Sequence, residues 1–344
     1  PQPSKLNPIK NLPTFIAMKL DDLIKKFISL YGESEGEIFE FFAPGRVNLI
    51  CEHTDYNNGY VLPAALSFGT YLLARKTDAN SLKLSTTNYN YKAEIPLGEL
   101  RNKHGGEWVN YPLGVINEFN KNMMTIGGLE LLYSGNIPAA AGLSSSASIE
   151  LVTAVAINEL YDYKLDTLEL VHMGLRAERE FVGVQCGIMD QFIVGNGREG
   201  AALFLNCGTE QFNHVPFKPE GYRLVIADTK KARKLSDSKY NERVAECNAG
   251  LTAIQKQLNV RSLSEISLEN LPEIEKMIAD EIIRKRVRHV ITENRRVLEA
   301  VKALHLRDYK QFGILMNHSH NSLRDDYEVT GFELDTMVEV SREQ

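Results

Sequence analysis

The chain has 344 residues, of which 43% are apolar, 24% charged and 8% aromatic, a balance that excludes disordered and collagen-like chains. Its 39 basic and 45 acidic residues leave a net charge of −6, without the positive field that nucleic acids or anionic lipids demand of a partner. The apolar stretch from Tyr60 to Ala74 is broken by Pro63, Ser67, Gly69 and Thr70 and falls short of the roughly 20 residues of a membrane helix. A single core stops growing by about 250 to 300 residues, so two domains or one elaborate domain are expected.

Residues 1–17 contain no apolar h-region with a small-residue cleavage site. They read as an extension, with Met18 as a natural start. Lys19 to Tyr31 carries Leu20, Leu23, Ile24, Phe27, Ile28 and Leu30 at helical spacing before Gly32. Phe39–Ala43, Tyr71–Lys76, Leu82–Thr86 and Leu129–Ser134 are short runs of strand formers bounded by turn residues. Trp108–Phe119 and Ala147–Tyr161 have helical periodicity. A turn-rich stretch from His214 to Gly221 precedes a predicted strand, Arg223–Ala227, and then predicted helices at Ser238–Leu258, Glu273–Leu304 and Asp308–Asn317. A boundary near 213–221 divides the chain into an N-terminal domain, 18–213, and a C-terminal domain, 214–344. Cys51, Cys186, Cys207 and Cys247 are scattered without a C-x-x-C pair, which suits a reducing cytoplasm.

Gly195-Asn196-Gly197-Arg198-Glu199-Gly200 matches a dinucleotide fingerprint, but it is followed by the strand-like Ala201–Leu205 rather than by a helix. A hairpin from Phe192–Val194 into Ala201–Leu205 is the expectation there. No Gly-Lys dipeptide exists to build a Walker A loop. The better anion site is Pro138-Ala139-Ala140-Ala141-Gly142-Leu143-Ser144-Ser145-Ser146-Ala147-Ser148, between a strand and a helix. Small residues there admit a ligand to the backbone, and the helix's first free N–H groups attract phosphate. Helix capping by the serines is the plainer alternative. Arg46, Glu52, His53 and Asp55 lie within ten residues. Carboxylates that accept paired hydroxyls, beside a fixed arginine fork, suit a polyol. Asn57-Asn58-Gly59 and Pro63 make that segment a defined turn.

The serine loop resembles the second signature of the GHMP small-molecule kinases. Gly45-Arg46-Val47-Asn48-Leu49-Ile50-Cys51-Glu52-His53-Thr54-Asp55-Tyr56-Asn57 resembles the galactokinase signature at twelve of its thirteen positions. Glu107–Tyr111, Cys186–Gln191, Ser238–Arg243 and Ser322–Glu328 extend the resemblance along most of the chain. It implies an α+β, two-domain GHMP kinase fold, with a mixed N-terminal domain and a ferredoxin-like C-terminal domain. It also implies phosphorylation of galactose at its anomeric hydroxyl by ATP with Mg2+, by a monomer. A non-catalytic sensor of the same fold, or a kinase for N-acetylgalactosamine, arabinose or galacturonate, is the alternative.

By the same resemblance Asp190 takes or orients the proton of the anomeric hydroxyl and Arg46 neutralises charge beside it. Glu52, His53, Asp55, Gly187 and Tyr240 contact the sugar. Ala141, Gly142, Leu143, Ser144, Ser145 and Ser146 hold ATP, Trp108 and Tyr111 flank adenine, and Ser146 and Glu178 bind magnesium. Read from the residues alone, Asp190 also fits a buried helix cap, Glu178 a solvated helix face, and Trp108 with Tyr111 a core face. Lys231 and Arg233 bring positive charge toward Asp190 or form an exposed loop. His318-Ser319-His320 lacks a second ligand pair at zinc spacing. Arg284-Lys285-Arg286-Val287-Arg288 reads as a solvated face.

The sequence departs from the family pattern in three places. Cys51 and Ala140 stand where glycine is usual, so a positive φ at either would be strained. The family's last glycine-rich signature is absent, and Glu333-Leu334-Asp335 resembles the segment before it. The second domain is therefore expected to be incomplete.

Overall fold

The computed structural model describes residues 20–102, 108–138, 141–231 and 239–343. The expectations for the extension 1–17, Met18, Glu107, Ala140, Arg233 and Ser238 lie outside them. Helix α1 (Leu20–Tyr31) follows its predicted stripe and ends at Gly32, whose N–H donates to Ile28 O at 2.8 Å with φ +82°. Next come β1 (Phe39–Asn48), β2 (Tyr60–Val61), β3 (Pro63–Thr77), β4 (Ser81–Thr86), β5 (Tyr91–Pro96), α2 (Asn110–Lys121), β6 (Gly128–Gly135) and α3 (Ser145–Leu160). Helix α4 (Thr167–Arg176) starts at a capping box, Asp166 with Glu169, and runs into a π-helical turn, Ala177–Val182. After it lie α5 (Met189–Asn196), β7 (Ala201–Asn206), β8 (Phe212–Pro216), α6 (Lys239–Gln255), α7 (Leu271–Lys276), α8 (Glu281–His305), α9 (Tyr309–Asp325) and α10 (Phe332–Glu343).

A five-stranded sheet in the order β1-β3-β6-β4-β5 is antiparallel except where β4 meets β6. Alternation along β6 sends Leu129, Leu131 and Tyr133 into the main core with α2–α5. It sends Leu132, with Leu73 of β3, against Leu23 and Phe27 of α1. Under α1, Arg75 and Glu130 stand directly opposite in register; Arg75 Nε and Nη2 both donate to Glu130 Oε2, at 2.9 and 2.6 Å, and the pair is almost wholly buried. The smaller sheet, β2-β7-β8, is antiparallel. A second core joins Cys247 and Ile254 of α6 to Val287, Val290 and Ile291 of α8 and to Tyr327. Among the described residues no helix is long and apolar enough to cross a membrane.

Several sequence expectations are corrected. Phe192–Val194 is not the first strand of a hairpin but the middle of α5, and all three side chains are buried. An apolar run of three cannot tell a buried strand from a buried helix. The partner of β7 is β8, inside a stretch read as turn from His214 onward. The glycine hexamer thus joins a helix to a strand, the reverse of a dinucleotide fingerprint. Arg223–Ala227 is not a strand; it finds no ladder partner among the described residues, and Leu224 and Val225 are exposed. β-propensity acts only where a neighbouring strand and a buried face exist. The predicted helix Glu273–Leu304 is two, because Asp280 caps α8 by accepting the Ile283 N–H. Arg286 is not on a solvated face: it is buried, donating to Glu246, Glu328 and Asp326 O. Strand β5 was not anticipated.

Candidate active site

Three segments meet beside the main sheet: the end of β1 with the loop after it, the serine loop entering α3, and the start of α5. Strand β1 shifts register between Pro44 and Arg46, the kind of irregularity that re-aims a side chain. A Cβ at Gly45 would lie 2.9 Å from Leu143 O, so glycine lets the serine loop lie against the strand. The Arg46 N–H donates to that same oxygen at 3.1 Å.

The Arg46 guanidinium then spans the gap to α5. Its Nε and Nη2 donate to Asp190 Oδ1 and Oδ2 at 2.8 and 2.7 Å, while Nη1 donates to Gly142 O at 2.6 Å. Burial opposes the charge on Arg46, but Asp190 outweighs it and raises its pKa. Asp190 follows the buried Ile188 and Met189 and is the second residue of α5, so it is not a helix cap. The Ser144 hydroxyl also donates to Oδ2. A carboxylate offers about four lone-pair sites. Arg46 and Ser144 take three, which leaves one on Oδ1 for an approaching hydroxyl.

The loop from Leu49 to Gly59 supplies a second cluster. Asn48 Nδ2 donates to Glu52 Oε1 at 3.0 Å. His53 Nδ1 meets the Tyr56 hydroxyl at 2.9 Å, and the Tyr240 ring lies 5.7 Å from His53 and 5.1 Å from Tyr56. Asp55 presses so closely on Gly187 that any Cβ there would collide with its carboxylate. Desolvation, then the charge of Asp190, pushes the Asp55 carboxyl up to about 7. Glu52 is also raised, by desolvation against the pull of Arg46, and water still reaches its side chain. Cys51 adopts φ +104° and His53 φ +65°. The strain foreseen for a non-glycine at 51 is real, of order 1–3 kcal/mol. Cys51 Sγ offsets part of it by donating to Asn48 Oδ1 and accepting from the Leu62 N–H.

In the serine loop Gly142 has φ +71° and Ser144 φ +57°, and the Ser144 side chain caps nothing. Ser145 is exposed at the start of α3 and Leu143 is buried. Ser146 lies beside Glu178 and favours its charged form; Glu178 is buried in the π-helical turn and not on a solvated face. Burial and the charge of Asp190 raise the Glu178 pKa. The Gln191 amide spends both hydrogens on carboxylates, donating to Glu178 Oε2 at 2.6 Å and Glu150 Oε2 at 2.9 Å. Glu150 Oε1 and Gln191 Oε1 are buried without partners. This all-oxygen donor set fits a hard divalent cation. Magnesium needs only one or two protein carboxylates when phosphates complete its shell; among the described residues no group of three His, Cys, Asp or Glu side chains could hold a metal ion.

Tyr111 stands near Glu178, with its hydroxyl pKa raised by burial. Trp108 sits edge-on to Tyr89, Tyr91 and Tyr133 at 6.5, 5.7 and 5.2 Å, and its buried Nε1 has no partner. Lys231 does not reach Asp190; it pairs with Glu333 at 2.5 Å. In the histidine motif Ser319 donates to Glu293 and His320 pairs with Asp335. Sequence reasoning missed Asn48, Glu150, Gln191 and the tyrosines at 89 and 91. Gln191 directly follows Asp190, but nothing in its one-dimensional setting says that it faces two acids.

The GHMP kinases N terminal domain family matches residues 110–198, and a structure of Methanococcus jannaschii mevalonate kinase shares the fold with a TM-score of 0.59 at 19% identity, over 90% of this chain and 85% of that one. Helix-borne serine loop and facing carboxylate thus sit on the scaffold of the GHMP kinases. The galactokinase galactose-binding signature matches residues 25–76. Galactokinases of Clostridium beijerinckii and Clostridium tetani are 45% and 47% identical over 318 and 324 residues, covering 92% and 93% of this chain and 81% and 82% of theirs. The crystal structure of Lactococcus lactis galactokinase complexed with galactose has a TM-score of 0.91 at 43% identity, over 94% of this chain and 84% of that one. The chain belongs to the galactokinase family.

Proposed function

We propose that this galactokinase works by holding the anomeric hydroxyl of galactose against the open lone pair of Asp190 Oδ1 while the γ-phosphoryl group of ATP lies on the serine loop. The hydroxyl oxygen forms the new bond to phosphorus, the bond to ADP breaks, and the hydroxyl proton passes to or is oriented by Asp190. The observation that carries this reading is the Arg46–Asp190–Ser144 assembly, which ties sugar loop, phosphate loop and catalytic helix to one carboxylate. Arg46 also supplies positive charge where the transferring phosphoryl group spreads its own, and such transfer relies mainly on positioning and electrostatics.

Glu52, His53, Asp55, Gly187 and Tyr240 form the sugar pocket in this reading, and Ala141 to Ser146 cradle the phosphates. Tyr89, Tyr91, Trp108 and Tyr111 flank the adenine in this reading. Ser146 and Glu178 would hold magnesium, whose charge would neutralise the phosphates. Two domains, 18–213 and 214–344, a monomeric state and a cytoplasmic location belong to the same reading, the last in keeping with four free cysteines. The direct test is ADP release with ATP, magnesium and a panel of hexoses. Release only with galactose and its close derivatives is expected; none above an Asp190→Ala control would leave the sensor.

Two further outcomes follow from the pocket. Gly187→Ala drives a methyl into the Asp55 carboxylate. Overpacking of about 1–3 kcal/mol corresponds to a galactose KM raised roughly 5- to 150-fold, with the ATP KM unchanged. A parallel rise in both would count against the pocket. Asp55 holds its proton below its raised pKa of about 7 and then loses an acceptor for sugar hydroxyls. The galactose KM should therefore rise as pH falls through about 7, and Asp55→Asn should flatten that limb.

A further inference from the structure

The geometry points to Glu293, in the middle of α8, as a positioning residue that holds the loop Cys51–Tyr60 in its strained conformation from behind the pocket. Glu293 is fully buried. Its Oε1 accepts the Cys51 N–H at 3.1 Å and the Ser319 hydroxyl at 2.5 Å, and its Oε2 accepts Arg296 Nε at 2.5 Å. The bond to Cys51 is charge-assisted and falls on the residue whose φ of +104° disfavours any side chain.

Two neighbours on the same helix face act on the same loop. His289, also buried and with its pKa lowered by that burial, donates from Nε2 to Glu52 O at 3.0 Å and meets the Ser322 hydroxyl at Nδ1 at 2.9 Å. Asn294 Oδ1 accepts the Tyr60 N–H at 2.9 Å, and its amide donates to Ser264, whose hydroxyl donates to Asn57 O at 2.8 Å. These four hydrogen bonds all reach main chain, at residues 51, 52, 57 and 60. Helix α8 thereby sets where the loop's side chains stand. Removing Glu293 would leave the Cys51 N–H buried and unpaired, and such an orphan costs more than an ordinary hydrogen bond contributes. The loop would then relax toward a conformation that Cys51 prefers.

The inference rests on the reading of this loop as sugar-binding, and one set of variants separates the two. In the full chain Glu293→Ala should raise the galactose KM by about tenfold or more, leave the ATP KM unchanged, and speed amide hydrogen exchange across residues 51–60. Adding Cys51→Gly should recover much of both losses, because glycine adopts the left-handed backbone without strain. Glu293→Gln, which keeps an acceptor for Cys51, should be milder. Should Glu293→Ala fail to fold, Asn294→Ala removes the Tyr60 bond without stranding a charge and should shift exchange and galactose KM in the same direction. Equal rises in both KM values, unchanged exchange, or no recovery with Cys51→Gly would overturn the proposal. Exchange that quickens and recovers while calorimetric galactose binding stays constant would uphold Glu293 as the loop's clamp and overturn the loop's sugar role.

Discussion

Asp190→Asn is expected to lower kcat by about 10^2- to 10^4-fold, the range that proton transfer by a positioned side chain contributes, while calorimetric galactose affinity changes by less than about threefold. The asparagine keeps the volume of the carboxylate and can still accept from Arg46 Nε. Its amide, however, meets the donors at Arg46 Nη2 and the Ser144 hydroxyl, which now bond to Oδ2, and it cannot take a proton. Asp190→Ala goes further, leaving the largely buried Arg46 fork without its partner. Its affinity should fall together with kcat, since Arg46 also ties Gly142 O and hence the serine loop. The informative contrast is between the two variants. If Asp190 transfers the proton, both lose kcat alike; if it only positions the hydroxyl, the asparagine retains more. A kcat for Asp190→Asn within tenfold of the parent would overturn a central role for this carboxylate.

The second large effect is on stability. Glu130→Ala should destabilise the chain by about 3–5 kcal/mol, because one partner of a buried ion pair is left uncompensated. Arg75 is 2% exposed, donates twice to Glu130, reaches Gly32 O at 3.1 Å and lies over the Phe27 ring. Lys83 also loses its partner at Glu130 Oε1. The paired change Arg75→Met with Glu130→Leu should restore most of the loss, since an apolar pair of similar volume carries no desolvation penalty. Urea unfolding of the parent and the two variants checks this. A loss below about 1 kcal/mol in Glu130→Ala would mean that water or Lys83 relieves the stranded arginine. This pair lies under α1, away from the cleft, so kcat of the folded Glu130→Ala fraction should be unchanged.

Much of the cleft was legible along the chain because its parts are local. The Gly45–Asn57 segment and the loop from Pro138 to Ser148 each carry their chemistry within about a dozen neighbours, and helix α3 follows its loop as periodicity and small residues dictate. Where a single segment had to choose between environments, local pattern failed. Phe192–Val194 became helix because α5 packs its apolar side into the main core, and Arg223–Ala227 stayed irregular for want of a neighbouring strand. Arg286 looked solvated among its charged neighbours, yet Glu246 and Glu328 are brought to it from 40 and 42 residues away.

The sequence by itself determined the chemistry on offer: a serine-lined loop suited to phosphate, a set of acids with an arginine suited to a polyol, and a carboxylate beyond a glycine turn. It also marked Cys51 as a place where backbone and side chain would conflict. Only the tertiary structure decided which of these groups act together. Arg46 and Asp190 are 144 residues apart and Glu293 acts on Cys51 across 242. Hydrogen-bond partners so distant are chosen by how sheet, helices and loop pack, and no periodicity or propensity reports that choice. The same packing gives Ser144 its hydrogen bond to the carboxylate in place of a helix cap, and brings α8 against the loop from Cys51 to Tyr60.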